Sequence, residues 1–391
     1  MKKGLDLMRL ARGFLAVAGL MCAGLASAQD AAPPSKPGQL IWVEPSAAPV
    51  FPQTEEEKKA GMVEGRTLPA PELLQPDLDP ALPRYIPTKG LKLKAHFRAG
   101  VSDVLPGLAA AWVAAFRKYH PGFQLDLVKP YAGSLGALEL IKGNLDLVFV
   151  SRELKPTDIS GFNAKFGYPP FSVPISGGTW RHFGFLDAIA FMVNPDNPIR
   201  KLSFEQLDAA FSSTRLRGGK PIKTWGDLGL TGEWANRPVH LYGIKPWNGF
   251  EEFVREHVLS TPQGRGEWND KIHYDETFFN IARRVAADPE ALGYTGLSAI
   301  DSEVKIVPLS VEGGPALSPS YENVASAAYP LSRVLYLNTN ARSGAALNPA
   351  LREFLRFVLS REGQAVVRKQ GIYLPLRVGQ VARSQAYIEG K

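Results

Sequence analysis

Residues 133–155, GSLGALELIKGNLDLVFVSRELK, decide the fold that this sequence predicts. Ser134 is a good helix N-cap, because its hydroxyl can accept a hydrogen bond from a free main-chain N–H of the first turn. The run LVFV at 147–150 predicts a short buried strand of a parallel sheet, which ends at Ser151 and Arg152. The helix has an apolar face and ends at Gly143. The residues of this face are Ala137, Leu138, Leu140 and Ile141.

The ends of this helix and strand predict a ligand site. In open α/β sheets, ligands bind beyond the carboxyl ends of strands and at the N-termini of helices. Ser134 lies at a helix start, and Ser151 and Arg152 lie at a strand end. Structural explanations are also open. The two serines suit a helix cap and a turn, and Arg152 can pair with Glu153 or another carboxylate.

The flanking residues extend this unit into an α/β sheet. Alternating apolar side chains at 91–97 predict a first strand, and an amphipathic helix is expected at 108–119. A second strand is expected at 123–128, whereas the Gly-rich stretch 169–187 is predicted to be irregular. Strand, helix, strand, helix, strand at this spacing implies a parallel sheet with right-handed crossovers.

The predicted fold class is α/β with two lobes and a ligand cleft between them. Each lobe is a mostly parallel sheet flanked by helices, and two chain crossings suit hinge closure around a ligand. The predicted division is a signal peptide at 1–28, a Pro-rich arm at 29–88, the first part of lobe one at 89–193, lobe two at 194–300, and a return to lobe one with C-terminal helices at 301–391.

The first residues predict export. Residues 1–28 combine a basic start, an apolar run and a small-residue cleavage site near Ala28. The apolar run is too short to predict a membrane span. Cys22 is the only cysteine, and the bulky Met21 before it argues against a lipoprotein signal. The bacterial periplasm is therefore the expected compartment of a mature chain without disulfides.

The segment 29–88 differs in composition from the rest of the chain. Prolines recur throughout it, and Glu-Glu-Glu-Lys-Lys occupies 55–59. This composition predicts an extended arm with little regular structure. Two alternatives are open, a disordered tether or an arm that packs over the lobes. The packing side chains would be Ile41, Trp42, Phe51 and Tyr85.

Charge and motifs exclude several classes of function. The formal net charge is +7, of which residues 1–28 supply +3, and the remaining +4 is a mild bias that is compatible with an anionic ligand. The sequence contains no arginine-rich block with interleaved aromatics, so nucleic-acid binding is not expected. The six histidines show no metal-site spacing, and neither G-x-S-x-G nor a phosphate-cradling G-x-x-x-x-G-K-[ST] occurs. We therefore expect a binding protein rather than an enzyme, with no catalytic residue, metal or cofactor.

Several motifs, in this order and spacing, resemble the phosphate-binding proteins of bacterial ABC transporters, a type II periplasmic-binding-protein family. They are the tripeptide HPG at 120–122, the stretch 133–151, VNPDNP at 193–198, the stretch 202–211, TWGDLG at 224–229, GY at 293–294 and the stretch 357–376, which contains SREGQ at 360–364. The resemblance implies a type II periplasmic-binding-protein fold that captures phosphate or a similar oxyanion in its cleft. It also implies a monomer that delivers the anion to ABC transporter permease subunits in the inner membrane.

The resemblance implies ligand-binding residues in both lobes. In lobe one they are Ser102 and Asp103 after the first strand, Ser134 before the second helix, and Ser151 and Arg152 at the strand end. In the loop of lobe two they are Lys245, Asn248 and Gly249.

The sequence departs from the family pattern at four positions, one in lobe one and three in the loop of lobe two. The family's Asp is replaced by Arg152, its Arg by Ile244, its Ser by Asn248 and its Thr by Phe250. Arg152 would favour a fully ionised or more acidic anion. Each lost charge-assisted bond is worth about 1.5–3 kcal/mol, and micromolar affinity needs about 8 kcal/mol. Two or three losses would abolish tight phosphate binding unless Arg152, Lys245 or another residue compensates.

A second hypothesis follows from these replacements. The chain would keep the binding fold with a degenerate anion site, and would act in periplasmic interaction or signalling or bind a different ligand. Trp247 and Phe250 would then stack on an organic ligand, although such aromatics more often pack within a lobe.

Overall fold

The computed structural model describes residues 76–129, 133–182, 186–246 and 249–390. Within these ranges, no helix has the length and apolar character needed to cross a bilayer. Some of the predictions concern residues outside the ranges. These are the signal peptide at 1–28 with Cys22 and Ala28, the arm residues Ile41, Trp42 and Phe51, and the loop residues Trp247 and Asn248.

The elements are numbered in chain order. The strands are β1 (Ala95–Val101), β2 (Phe123–Leu127), β3 (Leu147–Val150), β4 (Phe171–Gly177), β5 (Ile189–Val193), β6 (Leu202–Ser203), β7 (His240–Ile244), β8 (His273–Asp275), β9 (Ala291–Gly296), β10 (Lys305–Ile306), β11 (Leu309–Ser310) and β12 (Val334–Thr339). The α-helices are α1 (Pro106–Phe116), α2 (Gly133–Lys142), α3 (Pro156–Phe166), α4 (Phe204–Phe211), α5 (Gly249–Val254), α6 (Phe278–Ala287), α7 (Tyr321–Ala325), α8 (Pro349–Val358), α9 (Arg361–Lys369) and α10 (Val378–Ile388).

Lobe one is built on a five-stranded sheet of order β2-β1-β3-β12-β4. Strands β1, β2 and β3 are parallel, with Ala99 beside both Leu127 and Leu147. Strand β12 runs antiparallel to both of its neighbours, with Tyr336 beside Val150 of β3. The first residues of β12 therefore lie at the carboxyl end of β3, so a distant part of the chain reaches the predicted ligand edge.

Lobe two is built on a second five-stranded sheet, of order β10-β5-β9-β7-β8. Strand β7 is parallel to β8 and β9, whereas β5 is antiparallel to β9 and to β10. Helices α4 and α6 are among the elements whose apolar side chains fill the core of this lobe. Helix α4 begins as predicted, because Ser203 caps it and exchanges hydrogen bonds with Gln206. The predicted two-lobed α/β fold class is confirmed, with mixed sheets.

The lobe boundaries differ from the predicted ones at both crossings. The prediction assigns residues up to 193 to lobe one, but β5 pairs with β9 of the second sheet. It also returns the chain to lobe one from 301, but β10 pairs with β5 and only β12 rejoins the first sheet. The physical reason is that a short apolar run satisfies a buried position in either sheet, so its sequence does not reveal its partner strand.

The stretch 169–187 is not irregular throughout, because it contains β4. Phe171, Val173 and Ile175 are buried, but Pro174 interrupts the strand pattern and suggests a break. The register between β4 and β12 shifts next to this proline, between the pairs Leu335–Ser176 and Tyr336–Pro174. Such an irregularity is where a sheet accommodates a residue without an N–H. Strand β1 likewise continues to Val101 instead of ending near residue 97.

The last part of the Pro-rich arm packs against lobe one. The buried Tyr85 hydroxyl donates to Oε1 of Glu353 at 2.8 Å and lies 2.8 Å from Nε2 of His120. The hydroxyl of Thr88 donates to the other carboxylate oxygen at 2.7 Å. Burial opposes ionisation of Glu353, but these hydrogen bonds outweigh burial and lower its pKa. For residues 76–88, packing over the lobe is therefore the alternative that applies.

We expect Tyr85→Phe to lower the free energy of unfolding by about 1–3 kcal/mol, because the buried Glu353 carboxylate loses a donor. Urea unfolding followed by fluorescence measures the change. Ile86→Ala is the matched control, since the Ile86 side chain is 73% exposed, and should change stability by less than about 0.5 kcal/mol. Equal stability of the two variants would contradict an anchoring role for Tyr85.

Candidate ligand-binding site

Two serine hydroxyls meet at the carboxyl edge of the first sheet. Ser102 directly follows β1, and its N–H donates to the carbonyl of Phe149 at 2.8 Å, which fixes its place beside β3. Ser151 directly follows β3, and the two Oγ atoms lie 3.2 Å apart. Ser102 is only 2% exposed. An anion bound here would therefore lose its contacts with water and accept hydrogen bonds from the two serine hydroxyls.

Asp103 gives this edge a hydrogen-bond acceptor. The Ser102 hydroxyl donates to Oδ1 of Asp103 at 3.1 Å, and Asp103 itself is exposed. A carboxylate next to two hydroxyls makes a mixed set, in which the hydroxyls can donate to an oxyanion and the carboxylate can accept a proton from it.

Arg152 follows Ser151 in the chain and has no carboxylate partner among the described residues. Its Nη1 donates to the main-chain oxygen of Glu153 at 2.8 Å. The Glu153 carboxylate instead accepts a hydrogen bond from the Tyr336 hydroxyl at 2.7 Å and lies 3.6 Å from Nε2 of His257. Arg152 therefore pairs with the main-chain oxygen of Glu153 and not with its carboxylate.

Arg333 is a residue that the sequence analysis missed. It precedes β12, is 4% exposed, and directs Nη2 at the main-chain oxygen of Ser151 at 3.5 Å. Its guanidinium carbon lies 4.2 Å from the centre of the Phe253 ring of lobe two. Burial lowers the pKa of Arg333 to about 10, a shift that Glu153 and Asp187 oppose. The side chain is therefore charged at neutral pH.

Asp187 is the buried acid at the first crossing between the lobes. Its Oδ2 accepts hydrogen bonds from the N–H and the hydroxyl of Ser298, at 2.9 and 2.8 Å. Burial raises the pKa of Asp187 to about 6 against the effect of these bonds. Glycine is required at 296, because a Cβ there would lie 2.4 Å from the same oxygen.

The loop of lobe two contributes little polar surface in the described residues. Ile244 and Phe250 are buried. The Phe250 ring packs edge-on against Phe278, with 5.0 Å between the ring centres, so Phe250 packs within lobe two. Nζ of Lys245 pairs with Oε1 of Glu276 at 2.6 Å, and both side chains are more than half exposed.

Two groups of predicted ligand-binding residues lie at the starts of helices α2 and α5. Helix α2 begins at Gly133 and follows β2, so its start lies at the same sheet edge as Ser151. The side chain of Ser134 lies outside the described part of the structure. Gly249 is exposed at the start of α5.

Contacts join the two lobes next to this edge. Nζ of Lys155 lies 2.6 Å from Oε1 of Glu252 on α5, and Phe253 of the same helix covers Arg333. A cavity of about 600 Å³ lies between Lys155 of lobe one and the segment 260–265 of lobe two. The two lobes are therefore in contact beside the edge at Ser151.

One group of metal-ligating types lies away from this cleft. His240, Asp288 and Glu290 come together at the amino end of β7. Nδ1 of His240 and the hydroxyl of Tyr242 each lie 2.8 Å from Oδ2 of Asp288. Burial favours the neutral acid, but these hydrogen bonds prevail and lower the pKa of Asp288. The group is therefore explained by its own hydrogen bonds.

Two α/β lobes that meet beside an edge with polar side chains define a bilobal ligand-binding protein, and comparisons with known proteins agree. Residues 90–362 match the family model of the PBP superfamily domain. The chain is 34% identical over 301 residues to the phosphate-binding protein PstS of Pseudomonas aeruginosa, which covers 76% of this chain and 88% of that protein. It is 28% identical over 284 residues to the protein SphX of Synechocystis, covering 71% and 77%.

Among solved structures, PstS of Borrelia burgdorferi superposes with a TM-score of 0.51 at 16% identity, covering 72% of this chain and 99% of that one. This likeness supports the fold. The chain therefore belongs to the PBP superfamily and, within it, to the family of the Pseudomonas PstS. The family resemblance of the sequence motifs is confirmed.

We expect Asp187→Asn to flatten the pH dependence of stability. The folded-state pKa of about 6 lies above the unfolded value of about 3.9, so the folded protein holds this proton more tightly. Its contribution to the free energy of unfolding is full below about pH 4 and is lost as pH rises through about 6. The loss is about 3 kcal/mol.

Urea unfolding of wild type and Asp187→Asn between pH 4 and pH 7 measures this difference, since all other groups titrate equally in both proteins. Asp196→Asn, at an exposed turn, is the matched control for replacing an aspartate by an asparagine. Parallel curves for wild type and Asp187→Asn would show that Asp187 does not titrate in this range.

Proposed function

We propose that this protein captures inorganic phosphate, or a similar tetrahedral oxyanion, in the cleft between its lobes. The observation that carries the proposal is the convergence of the Ser102 and Ser151 hydroxyls, 3.2 Å apart, at the ends of two neighbouring parallel strands. Family membership supports it, because the relative that is 34% identical is itself named a phosphate-binding protein.

The proposed site combines hydrogen-bond donors with positive charge. Ser102, Ser151 and Arg152 supply side-chain donors, and the start of α2 with Ser134 adds free main-chain N–H groups that favour an anion. Charge-assisted bonds of this kind are about twice as strong as neutral ones. Closure of the lobes expels water, which strengthens each bond to the anion further. From lobe two, Gly249 at the start of α5 and Asn248 complete the proposed set.

The proposed role is transport rather than catalysis. The protein binds and releases its anion without chemical change, and passes it to permease subunits of an ABC transporter in the inner membrane. The signal-like sequence at 1–28 supports a periplasmic location. The acting unit in this proposal is a monomer, because one chain supplies both walls of the cleft.

A second candidate is a binding-fold protein that has lost tight phosphate capture and acts in periplasmic interaction or signalling. One observation favours it. Ile244 and Phe250 are buried in the core of lobe two, at positions where the family resemblance implies Arg and Thr. A folded protein that binds no phosphate would select this candidate.

Calorimetric titration of the mature, phosphate-free protein with inorganic phosphate tests the first proposal. We expect Ser102→Ala and Ser151→Ala each to weaken phosphate binding by about tenfold or more, because each removes a hydrogen bond to a charged group. Ser213→Ala is the matched control, since its exposed hydroxyl donates only to the main-chain oxygen of Glu267. Wild-type affinity in both site variants would remove the two serines from the site.

A second titration tests the role of Asp103 as proton acceptor. Phosphate carries at least one proton at pH 7 and sulfate carries none. An acceptor at Asp103 therefore favours phosphate, against the preference for a fully ionised anion that Arg152 alone implies, and we expect the wild type to prefer phosphate. In Asp103→Asn, we expect the dissociation constant for sulfate divided by that for phosphate to fall about tenfold, because an amide can donate to sulfate. Asp270→Asn, at another exposed carboxylate, should leave the ratio unchanged. An unaltered ratio in Asp103→Asn would exclude this acceptor role.

A further inference from the structure

Arg333 is a buried charge whose hydrogen-bonding capacity is mostly unused. A guanidinium has five N–H donors, yet Nε and Nη1 of Arg333 have no hydrogen-bond partner in the described structure. The one contact made by its Nη2 is a long 3.5 Å to Ser151. An unpaired charge in a protein interior is costly, so such a group calls for an anionic partner.

The neighbouring acids do not supply that partner. Glu153 and Asp187 act on Arg333 electrostatically. Oε1 of Glu153 accepts a hydrogen bond from Tyr336, its Oε2 lies 3.6 Å from Nε2 of His257, and Asp187 accepts two hydrogen bonds from Ser298. These acids stabilise the charged form of Arg333 at a distance and leave its donors available.

The position of Arg333 shows where an anionic partner would bind. Antiparallel pairing of β12 with β3 places Arg333 at the same sheet edge as Ser102 and Ser151. Phe253 of lobe two covers the guanidinium at 4.2 Å. The loop of lobe two offers no comparable cation in its described residues, since Lys245 is paired with Glu276 at the surface.

We propose that Arg333 binds the oxyanion ligand directly and is the principal buried cation of the site. This inference rests on the proposed function for its ligand class. The planar fork of a guanidinium matches two oxygens of a tetrahedral anion, which a lysine cannot reproduce. The Phe253 ring lies against the guanidinium as a cation–π partner. Lobe two thereby holds the binding group in place when the lobes are closed.

The alternative role for Arg333 is purely structural, as a counter-charge for Asp187 and Glu153. The two roles differ in the anion-free protein. A structural cation stabilises the fold without ligand, whereas a ligand-binding cation gains its partner only when the anion is present.

Arg333→Lys and Arg333→Met test the proposal. The variants are titrated in a calorimeter with phosphate, sulfate and arsenate, and their Tm is measured with and without each anion. We expect both to weaken anion binding by about 30-fold or more. The Tm of anion-free Arg333→Met should stay within about 4 °C of wild type.

Arg237→Lys is the matched control. Its guanidinium also stacks on an aromatic ring, at 4.3 Å from the centre of Trp234, but it precedes β7 and so lies at the opposite end of that strand from α5. Its anion affinity should change by less than about twofold.

The outcomes separate this inference from the proposed function. Phosphate binding that is intact in folded Arg333→Lys and Arg333→Met overturns the role of Arg333 and leaves phosphate capture standing. Wild-type protein that binds sulfate or arsenate through Arg333, but not phosphate, overturns phosphate capture and supports Arg333. A folded wild type that binds none of the three anions overturns both. A large fall in the anion-free Tm of Arg333→Met, with full anion affinity in Arg333→Lys, establishes the structural role instead.

Discussion

The insertion of β12 between β3 and β4 is the constraint on which the candidate site depends. Because β12 is antiparallel to β3, its first residues meet the carboxyl end of β3, and Arg333 approaches Ser151. The same residue also holds the other neighbour, since its main-chain oxygen accepts a hydrogen bond from the N–H of Gly178 at 2.8 Å. The returning segment therefore brings Arg333 to the edge at Ser151 and joins β3 to β4 through main-chain hydrogen bonds.

Arg333 and Asp187 are buried charged groups near this edge. Asp187 and Glu153 receive their hydrogen bonds from neutral hydroxyl and N–H donors, so neither neutralises Arg333 by direct contact. In a region of low dielectric, an unneutralised guanidinium exerts a strong field. Asp187 also lies just before β5, where the chain crosses to lobe two. The same residue therefore acts on the charge of Arg333 and belongs to the connection between the lobes.

Lobe two takes part in this cleft mainly through packing. Ile244 and Phe250 have joined its apolar core, and Phe253 presents a ring to Arg333. The ion pair between Lys155 and Glu252 lies at the rim, where such pairs contribute little energy. The replacements that make the lobe-two loop depart from its family are thus consistent with a site in which lobe one supplies most of the donors and lobe two covers them.

The sequence by itself determined the local units. The α2–β3 unit, the capped start of α4 and the placement of Ser151 at a strand end follow from periodicity and capping, which depend on near neighbours along the chain. Only the tertiary structure decided which sheet β5 joins, that β4 continues through Pro174, and that Arg333 reaches Ser151. These depend on strand pairing between distant segments and on which charges share one buried space. A short apolar run or a single arginine carries no record of its partners, so the folded chain alone reveals them.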